Sequence, residues 1–161
     1  MRTLGSPVPR QDLQAFLSLG VSLALATRDD RMAVELVRCA ACALDADGRV
    51  FFAVPLPEGR RTVLNLEGTG VVALTAALPT DYRTVQLKGT DARRVEWPEQ
   101  TQRVQQHRAR FHSSLMSVGL PDAYSLAILS NEASGCVSFA FTLSEVFDQT
   151  PGPAAGLPLT P

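Results

Sequence analysis

The sequence predicts a mainly β fold, an antiparallel β-barrel with flanking helices, in a single domain. Six or seven short β-compatible segments follow one another, and turns rich in Asp, Gly and Pro connect them. Adjacent short strands joined by tight turns favour an antiparallel barrel over a parallel α/β sheet. The 161 residues are enough for one domain with a substantial hydrophobic core.

Composition excludes several classes of function. The chain has 15 basic and 16 acidic side chains and a net charge of −1, so no global field attracts nucleic acid or an anionic membrane. No apolar segment is long enough to span a bilayer, and the N-terminal residues MRTLGSPVPR lack the apolar core of a signal peptide. Three cysteines are too few for a disulfide-stapled secreted fold. We therefore expect a cytoplasmic protein with reduced thiols.

The first half of the chain begins with a predicted helix over residues 12–20 and a strand over 21–28. The helix has apolar side chains at i, i+3 and i+4 and ends at a glycine. Two further apolar β-compatible runs, 33–44 and 49–54, are separated by the Asp-Ala-Asp-Gly turn of residues 45–48. That turn predicts a β-hairpin.

A short helix is expected next, within PEGRRTVLNL at residues 57–66, and Gly68 and Gly70 end it. Strands are predicted over 71–78 and 82–89, and residues 91–97 continue the sheet.

The last part of the chain combines one long helix with two closing strands. Apolar residues on one stripe predict the helix over residues 99–118. The closing strands are SLAIL (125–129) and CVSFAFTL (136–143). The domain is expected to cover residues 1–150, followed by a Pro- and Gly-rich tail, residues 151–161, that is extended or disordered.

Searches for common catalytic and metal motifs find none. A P-loop, a dinucleotide fingerprint, GxSxG and HExxH are all absent from the sequence. His107 and His112 are five residues apart on the long helix, so they face different directions and are expected to face solvent. Cys39 and Cys42 have opposite parity on a β run, which favours small buried cysteines over a redox motif. No catalytic residue and no metal ligand is predicted.

Two adjacent arginines, Arg60 and Arg61, occupy the first turn of the short helix. A helix N-terminus has a positive partial charge, so each cation there costs about 0.3–1 kcal/mol. One interpretation is that both side chains extend into solvent. The other is that an anion binds the free N–H groups of the turn, Arg61 and the Thr62 hydroxyl. The residues alone leave both open.

The segment YRTVQLKG alternates strictly. Alternation places Val85 and Leu87 on one face, and Thr84, Gln86 and Lys88 on the other. The polar face either contacts water or meets a polar ligand edge at the barrel rim.

The ordered set of these segments resembles the pyridoxamine 5′-phosphate oxidase-like family of FMN-binding split barrels. RVFFAVP, GRRTVLNLEGTGVVALTA and TDYRTVQLKG, in this order, resemble it over about residues 12–97, and the resemblance continues more weakly to about residue 150. It implies a six-stranded antiparallel split barrel and a homodimer with FMN at the interface.

The resemblance also assigns cofactor-binding residues. The family's phosphate-binding Arg-Lys pair falls on Arg61 and Thr62, so the lysine is missing and Arg60 is the compensating cation. The family's flavin-contacting Gln falls on Thr84, with Gln86 on the same strand face as a substitute. The flavin-contacting strand before the hairpin falls near Arg38.

The chain also departs from the family. It lacks the C-terminal Trp-Arg-containing segment of true pyridoxamine phosphate oxidases, which argues against vitamin B6 as the substrate. The resemblance therefore implies a flavin-dependent oxidoreductase acting on an unidentified small molecule, with FMN or a deazaflavin as cofactor. The alternatives are a non-enzymatic protein that binds or stores flavin, deazaflavin or haem, and a dimer whose cofactor site has decayed.

Overall fold

The computed structural model describes residues 7–130 and 135–159 and consists of two antiparallel β-sheets with four α-helices around them. After a 3₁₀ turn at Arg10–Asp12, the elements in chain order are α1 Leu13–Leu17, β1 Ser22–Arg28, β2 Val34–Arg38, β3 Ala41–Leu44, β4 Arg49–Pro55, α2 Arg60–Thr69, β5 Val72–Ala77, β6 Thr84–Gly89, β7 Arg93–Arg94, α3 Gln100–Ser117, α4 Asp122–Ile128, β8 Cys136–Thr142 and β9 Glu145–Asp148.

Sheet A has five strands in the order β2-β1-β5-β6-β9, and sheet B has four in the order β3-β4-β8-β7. The prediction of a mainly β fold with flanking helices is confirmed. The count of six strands is wrong: the described ranges contain nine, in two sheets that do not form a closed barrel.

The largest difference from the prediction is in residues 33–44, which form two strands. The break falls at Cys39 and Ala40, and β2 pairs with β1 while β3 pairs with β4. A near-continuous apolar run has no period-2 signal that marks where a strand leaves one sheet for the other. The hairpin at residues 45–48 is confirmed. Gly48 has φ of +79°, and Asp45 Oδ1 accepts hydrogen bonds from the N–H groups of Asp47 and Arg49.

The predicted strand SLAIL is also wrong, because residues 125–128 belong to α4 and Leu129 is its C-cap. A run of five apolar and small residues fits a strand or a buried helical turn equally well. Here Pro121 precedes the helix, and the Ser125 hydroxyl packs against α3, 2.7 Å from His112 Nδ1.

The sheets enclose a core between their inner faces. Its largest fully buried side chains include leucines of β1, β5 and β6 and three phenylalanines of β4 and β8, at positions 52, 139 and 141. Phe52 stacks on Phe139 with ring centroids 5.9 Å apart. A second, smaller cluster of Ala40, Ala41, Ala53 and Val104 lies where α3 covers the outer face of sheet B.

The C-terminal residues fold back on β9. Gly156 N–H bonds to Asp148 O, Leu159 N–H bonds to Val146 O, and Pro158 forms a bridge with Phe147. The part of the expected tail that the structure describes is therefore a turn followed by a short extended pairing. None of the helices in the described ranges has both the length and the apolar character needed to cross a bilayer.

Candidate functional site

Helix α2 begins directly against β4, and Gly59 makes this possible. The Gly59 N–H donates to Pro55 O over 2.8 Å, and a Cβ at this position would collide with the Val54 side chain and the Pro55 carbonyl. At the other end, Gly70 has φ of +66° and its N–H bonds to Leu66 O, so it forms a left-handed C-cap. The predicted short helix is confirmed and ends at Gly70, whereas Gly68 lies within it.

The first turn of α2 has free hydrogen-bond donors. The N–H of Arg60 bonds to Pro57 O, and that of Val63 bonds to Gly59 O. In the described part of the chain, no hydrogen bond is found for the N–H groups of Arg61 and Thr62. Two free donors at the positive end of a helix form an arrangement that suits an anion.

Both arginines of this turn are exposed. Arg61 Nε lies 3.8 Å from a carboxylate oxygen of Glu35 on β2, a long contact with most of the arginine side chain in solvent. Exposed pairs of this kind contribute about 0–1 kcal/mol. The glutamate therefore only partly offsets the unfavourable placement of the cations and leaves Arg61 free to bind an anion.

Thr62 faces the interior, unlike the two arginines that precede it. The residue is fully buried, and its Oγ1 has no hydrogen-bond partner in the described residues. On the same buried side, Asn65 Nδ2 donates to Thr27 Oγ1 over 3.1 Å and fastens α2 to β1. The Thr62 hydroxyl is thus an unsatisfied polar group just beneath the turn that carries the arginines.

The predicted alternation of β6 is confirmed. Val85 and Leu87 are buried, and Thr84, Gln86 and Lys88 lie on the outer face of sheet A. Gln86 Nε2 lies 3.4 Å from Thr75 Oγ1 on β5, while the Thr84 hydroxyl is already bound to Tyr82 O over 2.9 Å. Because its hydrogen bond is the longer of the two, the Gln86 amide is more readily available to a ligand than the Thr84 hydroxyl.

Arg38 lies on the same outer face, at the far edge of sheet A. The register aligns it with Ala24, Thr75, Gln86 and Phe147 in one cross-strand row. Three strand spacings of about 4.8 Å separate Arg38 from Gln86, or about 14 Å. Between them stand only Ala24 and Thr75, so the middle of the row is flat.

The Arg38 guanidinium, however, turns toward α3. Its Cζ lies 4.9 Å from the centroid of the Phe111 ring, and its Nε is buried without a hydrogen-bond partner among the described residues. Burial lowers the pKa of Arg38 from its ordinary value. The structure thus groups Arg60, Arg61 and Thr62 on α2, and Thr84 and Gln86 on β6, with Arg38 at the other end of the Gln86 row.

The outer face of sheet A also carries exposed apolar side chains. On the edge strand β2, Val34 is 71% exposed and Leu36 is 66% exposed. Small residues of β1 and β5 lie beside them on the same face, because Ala26 pairs with both Leu36 and Ala73. An exposed apolar edge strand next to a flat face of small residues is typical of a surface that another chain covers.

The prediction that His107 faces solvent is wrong. It is 8% exposed and not solvent-facing, and its Nε2 has no hydrogen-bond partner in the described ranges. Burial, with a smaller contribution from Arg38 and Arg110, lowers its pKa to about 4. The spacing in the sequence could have predicted this burial. His107 is three residues after Val104 and four before Phe111, on the buried stripe of α3.

The cysteines differ in burial: Cys39 is buried as expected, whereas Cys42 and Cys136 are half-buried. No disulfide links the three cysteines of the described residues, and burial raises the pKa of Cys39 to about 12 and that of Cys136 to about 11. Over residues 7–130 and 135–159, no cluster of three His, Cys, Asp or Glu side chains is arranged to hold a metal ion.

A cavity of about 510 Å³ opens on sheet B, away from the predicted cofactor-binding residues. The Phe51 and Trp97 rings, 5.8 Å apart, form part of its wall, and Arg49 and Arg103 also line it. None of the six predicted cofactor-binding residues lines this cavity.

Comparison with known proteins gives similarity in fold only. No family model matches the chain, and no curated protein matches it. Among solved structures, HupZ of Group A Streptococcus is 13% identical with a TM-score of 0.55, covering 92% of this chain and 100% of that chain. An FMN-binding protein of Syntrophomonas wolfei subsp. wolfei is 12% identical with a TM-score of 0.53, covering 86% and 84%. A conserved hypothetical protein of Mycobacterium tuberculosis is 17% identical with a TM-score of 0.50, covering 92% and 89%. The chain therefore has the two-sheet fold of the split barrels.

Proposed function

We propose that this protein is a flavin-binding homodimer that uses FMN for redox chemistry on a small molecule. The observation that carries the proposal is the first turn of α2, where two free N–H groups lie beside two exposed arginines. A phosphate bound there reverses the electrostatic cost of the arginines and supplies acceptors for the free donors. The fold shared with an FMN-binding protein supports this assignment.

The residues present fit a phosphate at this turn. The positive charges of Arg61 and Arg60 would attract the phosphate. The backbone N–H groups of Arg61 and Thr62 would donate directional hydrogen bonds to its oxygens. The Thr62 hydroxyl, which lacks a partner in the interior, would gain one by turning toward the phosphate. In the family that the sequence resembles, a lysine occupies this position. A hydrogen bond from the Thr62 hydroxyl to the phosphate would therefore replace an ion pair.

The outer face of sheet A fits the flat part of the cofactor. Gln86 presents an amide that donates or accepts a hydrogen bond, and Arg38 lies at the other end of its row. Ala24 and Thr75 between them allow a planar ring system to approach the sheet. When bound, the flavin supplies hydride exchange at its N5 atom, and the residues of this face hold and orient it. This division of roles is consistent with the absence of a catalytic motif in the sequence.

A second copy of the chain is the proposed cover for this face. The exposed side chains of Val34 and Leu36 would be buried in such a dimer, together with the alanines of β1 and β5. Closing the face would exclude water from the flavin and strengthen each polar contact made to it. The proposed location is a reducing compartment, such as the cytoplasm, where buried cysteines stay reduced.

The absorbance spectrum of the purified protein, before and after addition of FMN, tests the proposal. Flavin bands that co-elute with protein in gel filtration support it. If the protein is colourless and also fails to retain added FMN, the flavin assignment is wrong. A Soret band would indicate haem, and retention of a deazaflavin but not FMN would identify the other cofactor. Anaerobic bleaching of the bound flavin by NADPH or NADH tests the enzymatic part separately.

A further inference from the structure

A small cavity lies under α3, at the point where β2 ends. Its volume is about 10 Å³, which accommodates one water-sized particle. Arg38, His107 and Arg108 line it together with Leu129 and small residues of the β2–β3 junction. It is separate from the first turn of α2 and shares only Arg38 with the proposed flavin face.

Two hydrogen-bonding atoms in the wall of this cavity are unsatisfied. Arg38 Nε and His107 Nε2 are both buried, and neither has a hydrogen-bond partner in the part of the chain that the structure describes. A buried donor without an acceptor loses its bond to water and gains nothing in return, so such atoms are rare in folded proteins. One hydrogen-bond acceptor in the cavity, within reach of both atoms, would supply both missing hydrogen bonds.

The charges around the cavity favour an anion as that occupant. Among the residues that the structure describes, no carboxylate lines it, whereas Arg38 and Arg108 both do. The neighbouring Cys39 thiol is neutral, because burial raises its pKa to about 12. Arg110 is also close enough to contribute to the lowered pKa of His107. Water would satisfy the hydrogen bonds but would leave the guanidinium without a counter-ion.

We propose that this cavity binds a small monatomic anion, chloride in an ordinary physiological solution. The anion accepts hydrogen bonds from Arg38 Nε–H and from the Nε2–H of neutral His107. It thereby links the end of β2 to α3. The cavity is too small for an organic anion such as gluconate.

Thermal unfolding of the full chain at constant ionic strength tests the proposal. Sodium chloride or bromide is compared with sodium gluconate, whose anion is too large to enter. With halide at roughly ten times its dissociation constant, Tm should rise by about 3–6 °C relative to gluconate. Replacement Arg38→Met should abolish the difference. Arg49→Met is the matched control, since Arg49 also stacks on a phenylalanine, 5.1 Å from the Phe51 centroid, but lies elsewhere.

Crystals soaked in bromide provide a test that needs no variant. An anomalous peak within hydrogen-bonding distance of Arg38 Nε and His107 Nε2 is the expected result. A water at that position with no anomalous signal, together with equal Tm in halide and gluconate, would overturn the proposal. So would a halide effect on Tm that persists unchanged in Arg38→Met, because the ion would then bind elsewhere.

Discussion

Arg38 and Gln86 lie in the same cross-strand row of sheet A, three strands apart, with only Ala24 and Thr75 between them. The two residues are 48 positions apart in the sequence. Their alignment depends on the register of three strand pairs, and it produces a flat strip about 14 Å long between two polar side chains. This strip and the first turn of α2 are the features on which the following predictions depend.

Replacement of Arg61 by Ala should weaken FMN binding about 10- to 150-fold. This is the range that corresponds to the loss of a charged hydrogen bond of about 1.5–3 kcal/mol. Fluorescence quenching titration of FMN measures it. Arg31→Ala, which removes an exposed arginine from the β1–β2 turn, is the control and should leave the affinity unchanged. Equal affinity of the Arg61 variant and the wild type would show that the phosphate binds elsewhere.

Replacement of Thr62 by Val separates the effect of the buried hydroxyl on stability from its effect on FMN binding. Valine keeps the shape and removes an unsatisfied polar atom, so the free energy of unfolding without cofactor should stay the same or increase. If the hydroxyl turns toward the phosphate, FMN affinity should fall by about 1 kcal/mol, or roughly fivefold. Urea unfolding and FMN titration of the same preparation measure the two effects. Unchanged affinity with higher stability would remove Thr62 from the phosphate site.

Replacement of Leu36 by Glu should convert the proposed dimer to a monomer. The side chain is exposed on the edge strand β2, and a charge there would be buried without a partner in the proposed interface. Sedimentation velocity measures the mass. Leu157→Glu, at an equally exposed leucine of the C-terminal turn, is the control and should remain dimeric. A monomeric wild-type protein would contradict the proposed assembly directly.

Acidification should destabilise the protein through His107. The pKa of His107 is about 4 in the folded chain and about 6.5 in the unfolded chain, so the unfolded chain binds the extra proton between these values. Stability from this residue is complete above pH 6.5 and decreases as the pH falls toward 4. Between pH 8 and pH 5 the loss should be about 2 kcal/mol.

Urea unfolding at the two pH values measures this loss. His107→Gln should remove about 2 kcal/mol of the pH dependence, whereas His112→Gln, which keeps His107, should retain it. An identical pH dependence in the wild type and the His107 variant would mean that His107 is not buried as the structure has it.

Local features of the sequence were sufficient for much of the fold and for part of the site. The alternation of residues 82–89 placed Thr84 and Gln86 on an outer face, and the structure agrees. The arginines at the start of α2 and the turn at residues 45–48 depend on helix and hairpin signals only a few residues long. These features could be predicted because the interactions that fix them are close in sequence.

Other features depended on which segments pack together. Apart from Glu35 and Arg38 the run 33–44 is apolar, and it contains no Gly, Pro, Asn or Asp that would mark the change at Cys39 and Ala40 from sheet A to sheet B. SLAIL became helical because Ser125 packs against α3, and His107 is buried because α3 lies over the β2–β3 junction.

The sequence by itself determined the mainly β class, the outward face of β6 and the arginine-bearing first turn of α2. Only the tertiary structure placed Arg38 in line with Gln86, left the Thr62 hydroxyl unsatisfied and brought Arg38 to His107. The reason is physical. Periodicity and turn chemistry act over a few residues, whereas register, burial and the pairing of distant polar atoms are set when both sheets and α3 pack together.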